Sequence, residues 1–493
     1  MSNIDSYFTC PIADRANNIP GTIAVTDGEK EISYLQCHCL IDQKVRNLKN
    51  IGISKGHRVA FLSANSIEFI IHIFALMRIG ASFVPINLRW SRETWQKIIK
   101  ETECKMIFSD SKHNDLANSL DLEVYQLRNE MMPEDLEKGR ADENLRDLDL
   151  ESEVSVIYTS GSSGSPKGVR LSNGNFYFNA LGSNQNIPLV PGDIWLASTP
   201  FFHVSGLAIL FRCFLAGTTV FVTDNLSSDS LQKCLTGFKI THISLVPVQL
   251  EKIIEDNPSG LNDIKCVLLG GAHINKKLIE KCIQLQLPIY ATYGMTETAS
   301  QIATTSIKDA QSKMGAAVKP LPYLKIRIEN EKGDSVASPN VGQIAIRGKV
   351  VFKGYLSGDS ENTDHTWFRT GDYGFLDDDG YLHLVGRKDD MIISGGENIY
   401  PEEIEKVANR FPGIKNCVVI GVENKEWGER PFLFIEKEKD HQFSLDQLNR
   451  FLRTNLVKLH VPDEVFMVKE IPRTPIGKFD KEKLKQLVRS QIC

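Results

Sequence analysis

The sequence predicts a multidomain α/β protein: a large N-terminal part with parallel, helix-covered sheets plus an antiparallel barrel-like segment, and a small mobile α+β C-terminal domain. Three observations carry that expectation. Short apolar or β-branched runs alternate with amphipathic stretches from about residue 57 to 290, closely spaced strands follow residue 314, and a third mixture of strands and helices begins near Asp389. Alternating strand and helix specifies parallel sheets covered on both faces. The length, 493 residues, allows roughly two to four domains.

In the first part, strands are expected at Arg58–Leu62, Ser82–Ile86, Lys105–Phe108, Val154–Thr159, Thr218–Val222, His242–Val246, Lys265–Leu269 and Pro288–Ala291. Apolar residues at helical spacing predict helices over Ser66–Ile79, Thr94–Glu101, Val248–Glu255 and Lys276–Gln284. The later strands are Leu324–Glu329, Gly342–Arg347 and Gly374–Leu384, the last folded at Asp377-Asp378-Asp379-Gly380, a hairpin turn signal. Elements at Glu402–Asn409, Asn416–Gly421, Leu445–Asn455 and Lys481–Arg489 build the third part. The charge-rich run Asn129–Ser152 reads as a surface excursion. A division into residues 1–386 and 387–493 follows from the change of pattern.

Composition excludes several function classes. With 42% hydrophobic and 24% charged residues, 35 Gly and 20 Pro, the chain is an ordinary globular protein, neither collagen-like nor largely disordered. Its 57 basic and 62 acidic residues sum to −5, which provides no global field for nucleic acid or an acidic membrane. Any anionic ligand therefore needs a local site. Ten cysteines without a CxxC pair indicate neither a disulfide framework nor a zinc ribbon. Cys37, His38 and Cys39 are adjacent with no second ligand pair at metal spacing, so they read as part of a partly buried helix. The start MSNIDSYFTC lacks a basic region followed by an apolar core. The apolar windows Phe69–Met77 and Ile194–Phe211 are too short or too interrupted for the roughly 20 residues a membrane span needs. The expected location is the cytoplasm.

Five segments carry chemistry. The strand Val154–Thr159 runs into Ser160-Gly161-Ser162-Ser163-Gly164-Ser165-Pro166-Lys167-Gly168, where hydroxyls, backbone N–H groups and one cation suit a phosphate. It is not a Walker A loop, since Lys167 stands between Pro166 and Gly168, and such a segment also serves as a linker. Thr292-Tyr293-Gly294-Met295-Thr296-Glu297-Thr298 follows a predicted strand. Its Glu297 suits a nucleotide-bound Mg2+, or Thr296 and Glu297 simply begin a helix. Arg369-Thr370-Gly371-Asp372 offers a carboxylate to ribose hydroxyls. The run Gly386-Arg387-Lys388-Asp389 through Gly395-Gly396 lies where two architectures meet and suits a hinge. Finally, Pro472-Arg473-Thr474-Pro475-Ile476-Gly477-Lys478 places a lysine on a turn that also reads as plain surface charge.

Together and in this order the five segments resemble the adenylate-forming superfamily of acyl-CoA synthetases, peptide-synthetase adenylation domains and luciferases, over about residues 10 to 490. The resemblance implies an AMP-forming acid-thiol ligase whose ligands are ATP, Mg2+, coenzyme A and a small carboxylic acid. It implies that residues 1–386 bind acid and ATP and that residues 387–493 rotate about Asp389. Thr159 to Lys167 match the phosphate loop, and Thr296 and Glu297 the phosphate and Mg2+ contacts. Asp372 and Arg387 match the ribose positions, and Lys478 the adenylation lysine. Gly270, Gly271 and Ala272 are expected between adenine and acyl group, with Thr292, Tyr293 and Gly294 beside them. Gly395 and Gly396 are expected to flank the pantetheine arm, and His203 to border the carboxylate, although a histidine on an apolar stretch is generically a core residue.

Within that superfamily the FFHVSGL, LLGGA and TYGMTETASQI segments look most like the o-succinylbenzoate-CoA ligases of menaquinone biosynthesis. Such a substrate keeps a second carboxylate, which needs a cation or several donors when buried. Arg212, Ser244, Ser300 and Gln301 are the candidates. A fatty-acyl- or aryl-CoA ligase would share the motifs without that partner, and a noncatalytic nucleotide- or acyl-binding protein of the same fold would bind ATP without pyrophosphate exchange.

Overall fold

The computed structural model describes residues 6–127, 147–159, 166–271, 274, 276–306, 317–358, 365–395, 397–438, 441–473 and 479–492. Two large sheets form the body. The first has seven strands, in the order Gly354–Tyr355, Lys167–Ser172, Glu153–Thr159, Ser82–Pro85, Arg58–Leu62, Ile107–Ser109 and Val124–Gln126. Its strands from Glu153–Thr159 onward pair in parallel, while Lys167–Ser172 returns antiparallel beside Glu153–Thr159. The second has eight strands, in the order Ser300–Ser306, Ile289–Met295, Cys266–Leu269, His242–Leu245, Ile194–Leu196, Thr219–Phe221, Ile23–Thr26 and Glu31–Ser33. It is parallel except at its two edges.

The main core joins both sheets through shared helices. It contains Phe61, Phe83 and Ile157 from the first sheet, Val25, Trp195 and Leu268 from the second, and residues of the helices Tyr34–Asn50, Ile67–Ile79, Asn173–Asn186 and Val204–Ala216. Ile67–Ile79 is buried on every side except at Glu68, which explains its lack of a polar face. The hydroxyl of Ser66 accepts from the N–H of Phe69 at 3.1 Å, and left-handed Gly80 ends the helix. Separate cores cover the outer faces, with Trp95 and Ile98 under the first sheet and Leu231, Leu250 and Leu278 under the second.

Beyond the body lies an antiparallel five-stranded sheet, in the order Ala317–Val318, Leu382–Arg387, Phe368–Leu376, Gly342–Gly348 and Leu324–Glu329. The expected strand Gly374–Leu384 is a hairpin whose first arm begins earlier, at Phe368. The last sheet carries Glu397–Ile399, Ile392–Ser394, Gly428–Lys437 and Ile414–Asn424, with Glu464–Val468 parallel to Gly428–Lys437. Alternate residues of Ile414–Asn424 enter different cores: Cys417 and Val419 one, Val418 and Ile420 the other, as the two-residue side-chain period of a strand requires.

The polar run expected as a surface excursion ends in structure. Asp147–Asp149 pairs antiparallel with Tyr7–Thr9, burying Leu148; residues 128–146 lie outside the described residues. Cys37, His38 and Cys39 sit buried in the helix Tyr34–Asn50. No helix among the described residues is long and apolar enough to cross a membrane.

Candidate active site

The centre of the candidate site is the turn between the antiparallel strands Ile289–Met295 and Ser300–Ser306. The expected helix start at Thr296 is instead a single 3-10 turn, Thr296–Thr298. Thr298 closes it, its hydroxyl bonding the carbonyls of Met295 at 3.0 Å and Ser300 at 3.2 Å. Asn179 fastens it from the neighbouring helix, donating to the carbonyls of Thr298 at 2.9 Å and Gln301 at 2.7 Å. Ala299 and Ser300 follow with φ of 51° and 118°, conformations that non-glycine residues hold only where the surroundings impose them. Gly294 lets the strands close, because a Cβ there would lie 1.8 Å from the Ser300 carbonyl oxygen.

This turn buries Glu297, whose Oε1 accepts the Tyr355 hydroxyl at 2.8 Å and whose carbonyl accepts the N–H of Phe352 at 2.8 Å. Burial raises its pKa from the ordinary glutamate value, against the opposing bond from Tyr355. Lys167 opens the strand paired with Glu153–Thr159, opposite Thr159, and its ammonium lies 5.7 Å from the centre of the Tyr355 ring. The loop residues Ser160, Gly161, Ser162, Ser163 and Gly164 lie outside the described residues.

A second carboxylate stands nearby. Asp372 is buried and accepts the Tyr293 hydroxyl at 2.5 Å. Its cross-strand partner Arg387 reaches it at 3.3 Å. Burial, then the Asp372 charge, pushes the Tyr293 hydroxyl pKa well up, so it stays a donor. Tyr293 thus ties Asp372 to the strand that leads into Glu297. Among the described residues no cluster of three or more His, Cys, Asp or Glu is placed to hold a metal ion. A lone buried carboxylate fits Mg2+ carried largely by nucleotide phosphates.

Gly270 and Gly271 follow the strand Cys266–Leu269 on the other side of Thr292. A Cβ on Gly270 would meet the Thr292 methyl at 2.5 Å, and Gly271 has φ +79°; Ala272 lies outside the described residues. His203 precedes the helix Val204–Ala216 and is half-buried, its ring 4.7 Å from that of Phe202. Asp389 is exposed in the 3-10 turn Lys388–Asp390, and the Lys481 ammonium pairs with its neighbour Asp390 at 2.9 Å. Gly395, at φ +59°, packs under the exposed Trp427 and donates its N–H to that residue's carbonyl at 2.8 Å. Gly396 and Lys478 lie outside the described residues.

Of the four candidates for a second substrate carboxylate, three are linked. Arg212, 1% exposed, donates to the Ser300 hydroxyl at 3.1 Å, and its guanidinium lies 5.6 Å from the centre of the Trp195 ring. The Trp195 indole N–H in turn reaches the Ser244 hydroxyl at 3.2 Å. Arg212 has no carboxylate partner among the described residues, and its Nε has no hydrogen-bond partner there. Burial lowers its pKa to about 10. Gln301 is 1% exposed, and both polar ends of its amide also lack partners among the described residues.

Sequence reasoning missed Tyr355. It occupies a two-residue strand far in sequence from both groups it touches, and no periodic signal marks it.

A family model described as "AMP-binding enzyme" matches residues 12–356. The chain belongs to the AMP-binding enzyme family. A second model, "AMP-binding enzyme C-terminal domain", matches residues 403–478. Among similar family members are the 2-succinylbenzoate-CoA ligases of Geobacillus sp. (strain WCH70), 34% identical over 97% of each chain, and of Bacillus cereus, 35% identical over 97% of this chain and 98% of that one. Among solved AMP-binding enzymes, o-succinylbenzoate CoA synthetase (MenE) from Bacillus subtilis is 29% identical. Its complex with the acyl-adenylate intermediate OSB-AMP gives a TM-score of 0.85 over 97% of this chain and 98% of that one. A double mutant of the same enzyme bound with its product analogue gives 0.71 over 97% and 99%. ATP-bound MatB from Rhodopseudomonas palustris shares the fold, with a TM-score of 0.86 at 24% identity over 98% and 99%.

Proposed function

We propose that this chain is an ATP-dependent acid-CoA ligase that converts 2-succinylbenzoate to its CoA thioester through an acyl adenylate. Arg212 carries the choice of acid. A buried guanidinium without a carboxylate partner among the described residues calls for an anion, and a substrate that keeps one carboxylate after activating the other supplies it. Ser300 orients that guanidinium from within the turn that holds Glu297. The names of the relatives agree with this reading.

The first step joins a carboxylate oxygen of the acid to the α-phosphorus and releases pyrophosphate. Two unit charges 4 Å apart at an effective dielectric near 20 repel by about 4 kcal/mol, so the site must cancel that repulsion locally. Lys167 offers a cation at the end of the phosphate segment, and Lys478 is assigned to the reacting carboxylate and α-phosphate. Glu297, held by Tyr355, would hold Mg2+, which would supply positive charge against the phosphates. Asp372, fixed by Tyr293 and Arg387, is a prepared acceptor for ribose hydroxyls. In the second step the CoA sulfur bonds to the acyl carbon, AMP leaves, and the thiol proton passes to solvent. Residues 387–493 are assigned as the part that swings about Asp389 between the steps.

The test is pyrophosphate release across a panel of 2-succinylbenzoate, benzoate, a hydroxycinnamate and a medium-chain fatty acid. The reading expects kcat/KM to be highest for 2-succinylbenzoate. Fastest turnover of a monocarboxylic acid would replace it with another acyl- or aryl-CoA ligase.

A further inference from the structure

Lys167 and Glu297 come from different sheets, yet one short segment holds both. The strand Gly354–Tyr355 pairs with Val169 and Arg170, just beyond Lys167. Flanking bonds extend that pairing, from the N–H of Lys353 to the Arg170 carbonyl at 3.0 Å and from the N–H of Leu356 to the Gly168 carbonyl at 2.8 Å. On its other side the segment grips the Glu297 turn twice, through the Phe352 N–H and the Tyr355 hydroxyl. The buried Phe352 ring backs the Tyr355 ring edge-on at 4.9 Å. Tyr355 is thus a stiff spacer whose face looks at the Lys167 ammonium and whose tip ends on the Glu297 carboxylate.

We propose that Tyr355 is a positioning residue for the nucleotide step. Its hydroxyl occupies one oxygen of Glu297 and leaves the other for the phosphate-bound metal, while its ring sets where the Lys167 ammonium stands. The inference rests on the assignment of Glu297 to Mg2+ made above. Without that hydroxyl the buried carboxylate loses a hydrogen-bond partner and its fixed rotamer, and both losses weaken its hold on a cation.

Equilibrium dialysis of ATP against increasing Mg2+, and of AMP without Mg2+, tests this with Tyr355→Phe, Tyr355→Leu and Glu297→Gln. Tyr355→Phe keeps the ring and is expected to need about tenfold more Mg2+ for half-saturation with ATP, with AMP binding unchanged. Tyr355→Leu is expected to weaken metal-free ATP binding several-fold as well, because Lys167 loses its platform. If Tyr355→Phe keeps the parent Mg2+ dependence while Glu297→Gln shifts it, Tyr355 does not position the carboxylate. Equal weakening of AMP and Mg2+-ATP in Tyr355→Phe would mean a merely structural role and would also overturn the proposal. A Mg2+ dependence unchanged in Glu297→Gln would instead overturn the assignment of Glu297, and the proposal with it. Should Tyr355→Leu not fold, Tyr355→Phe decides alone.

Discussion

The Arg212 guanidinium donates to the Ser300 hydroxyl at 3.1 Å across 88 residues of sequence, joining a core helix to the turn that carries Glu297. In the free enzyme this is an expensive arrangement, because a buried cation whose partners among the described residues are a hydroxyl and an indole ring keeps most of its desolvation cost. Arg212→Met, which keeps the length and the apolar contact with Trp195, is therefore expected to leave the ligand-free protein as stable or to stabilise it by about 1–4 kcal/mol. Urea denaturation checks this. A loss of several kcal/mol would show that the guanidinium is satisfied without substrate.

Gly294 is fixed by space. A Cβ there would overlap the Ser300 carbonyl at 1.8 Å, so Gly294→Ala must push apart the strands around Glu297 and Ser300. We expect a loss of about 1–3 kcal/mol or more in stability and weakened ATP binding. Gly237→Ala, where nothing lies within 4 Å, serves as the neutral control. Thermal melting of both variants checks the pair, and a silent Gly294→Ala would contradict the tight turn.

Glu405 gives a pH signature. Its carboxylate is buried beneath the last sheet, accepts the Val419 N–H at 2.8 Å, and is pushed by burial to about 7, against the pull of the Lys481 charge, with Glu402 and Asp390 nearby. Because the folded value lies above the unfolded one, its contribution is fully present below about pH 4.5 and lost as pH rises through 7. Glu405→Gln mimics the protonated group and keeps the acceptor. It is expected to match the parent near pH 4.5 and to exceed it by up to ~3 kcal/mol above pH 7. Denaturant unfolding at both pH values measures the difference, and a constant gap between the two proteins would contradict the assignment.

Lys277, on the helix Lys276–Gln284, reaches across to the last sheet. Its ammonium bonds the Ile414 carbonyl at 2.7 Å and pairs with Glu438, which His441 also approaches at 3.1 Å. If residues 387–493 swing between the two steps, these contacts belong to one arrangement. The Lys277 and Glu438 side chains are 42% and 31% exposed, so water screens the pair and its worth is about 0.5–1 kcal/mol. Lys277→Ala is accordingly expected to change the rates of adenylate formation and thioester formation in opposite directions by about two- to five-fold. Single-turnover measurement of each half-reaction checks this, and parallel changes would contradict it.

Much of this was legible in the residues because apolar side chains recur at the period of the element that buries them. The strands Arg58–Leu62 and Leu324–Glu329 and the helices Lys276–Gln284 and Leu445–Asn455 keep their expected bounds. The strand expected at Pro288–Ala291 runs on through Thr292, Tyr293 and Gly294 to Met295, an extension whose pairing comes from Ser300–Ser306 across a tight turn. The resemblance could name Arg212, Ser244, Ser300 and Gln301 as donors for a second carboxylate but not rank them, since ranking needs burial and partners. Tyr355 was invisible for a similar reason: its hydrogen bond to Glu297 spans 58 residues, and no local pattern encodes it.

Arg212 is assigned here as the group that selects an acid with a spare carboxylate. The most direct measurement compares kcat/KM for pyrophosphate release with 2-succinylbenzoate and with 4-oxo-4-phenylbutanoate, which lacks the ring carboxylate, in the parent enzyme and in Arg212→Met. The parent is expected to prefer the diacid, and Arg212→Met to lose about 10²-fold or more on it while handling the monoacid at least as well as before. An unchanged preference for the diacid in Arg212→Met would contradict it.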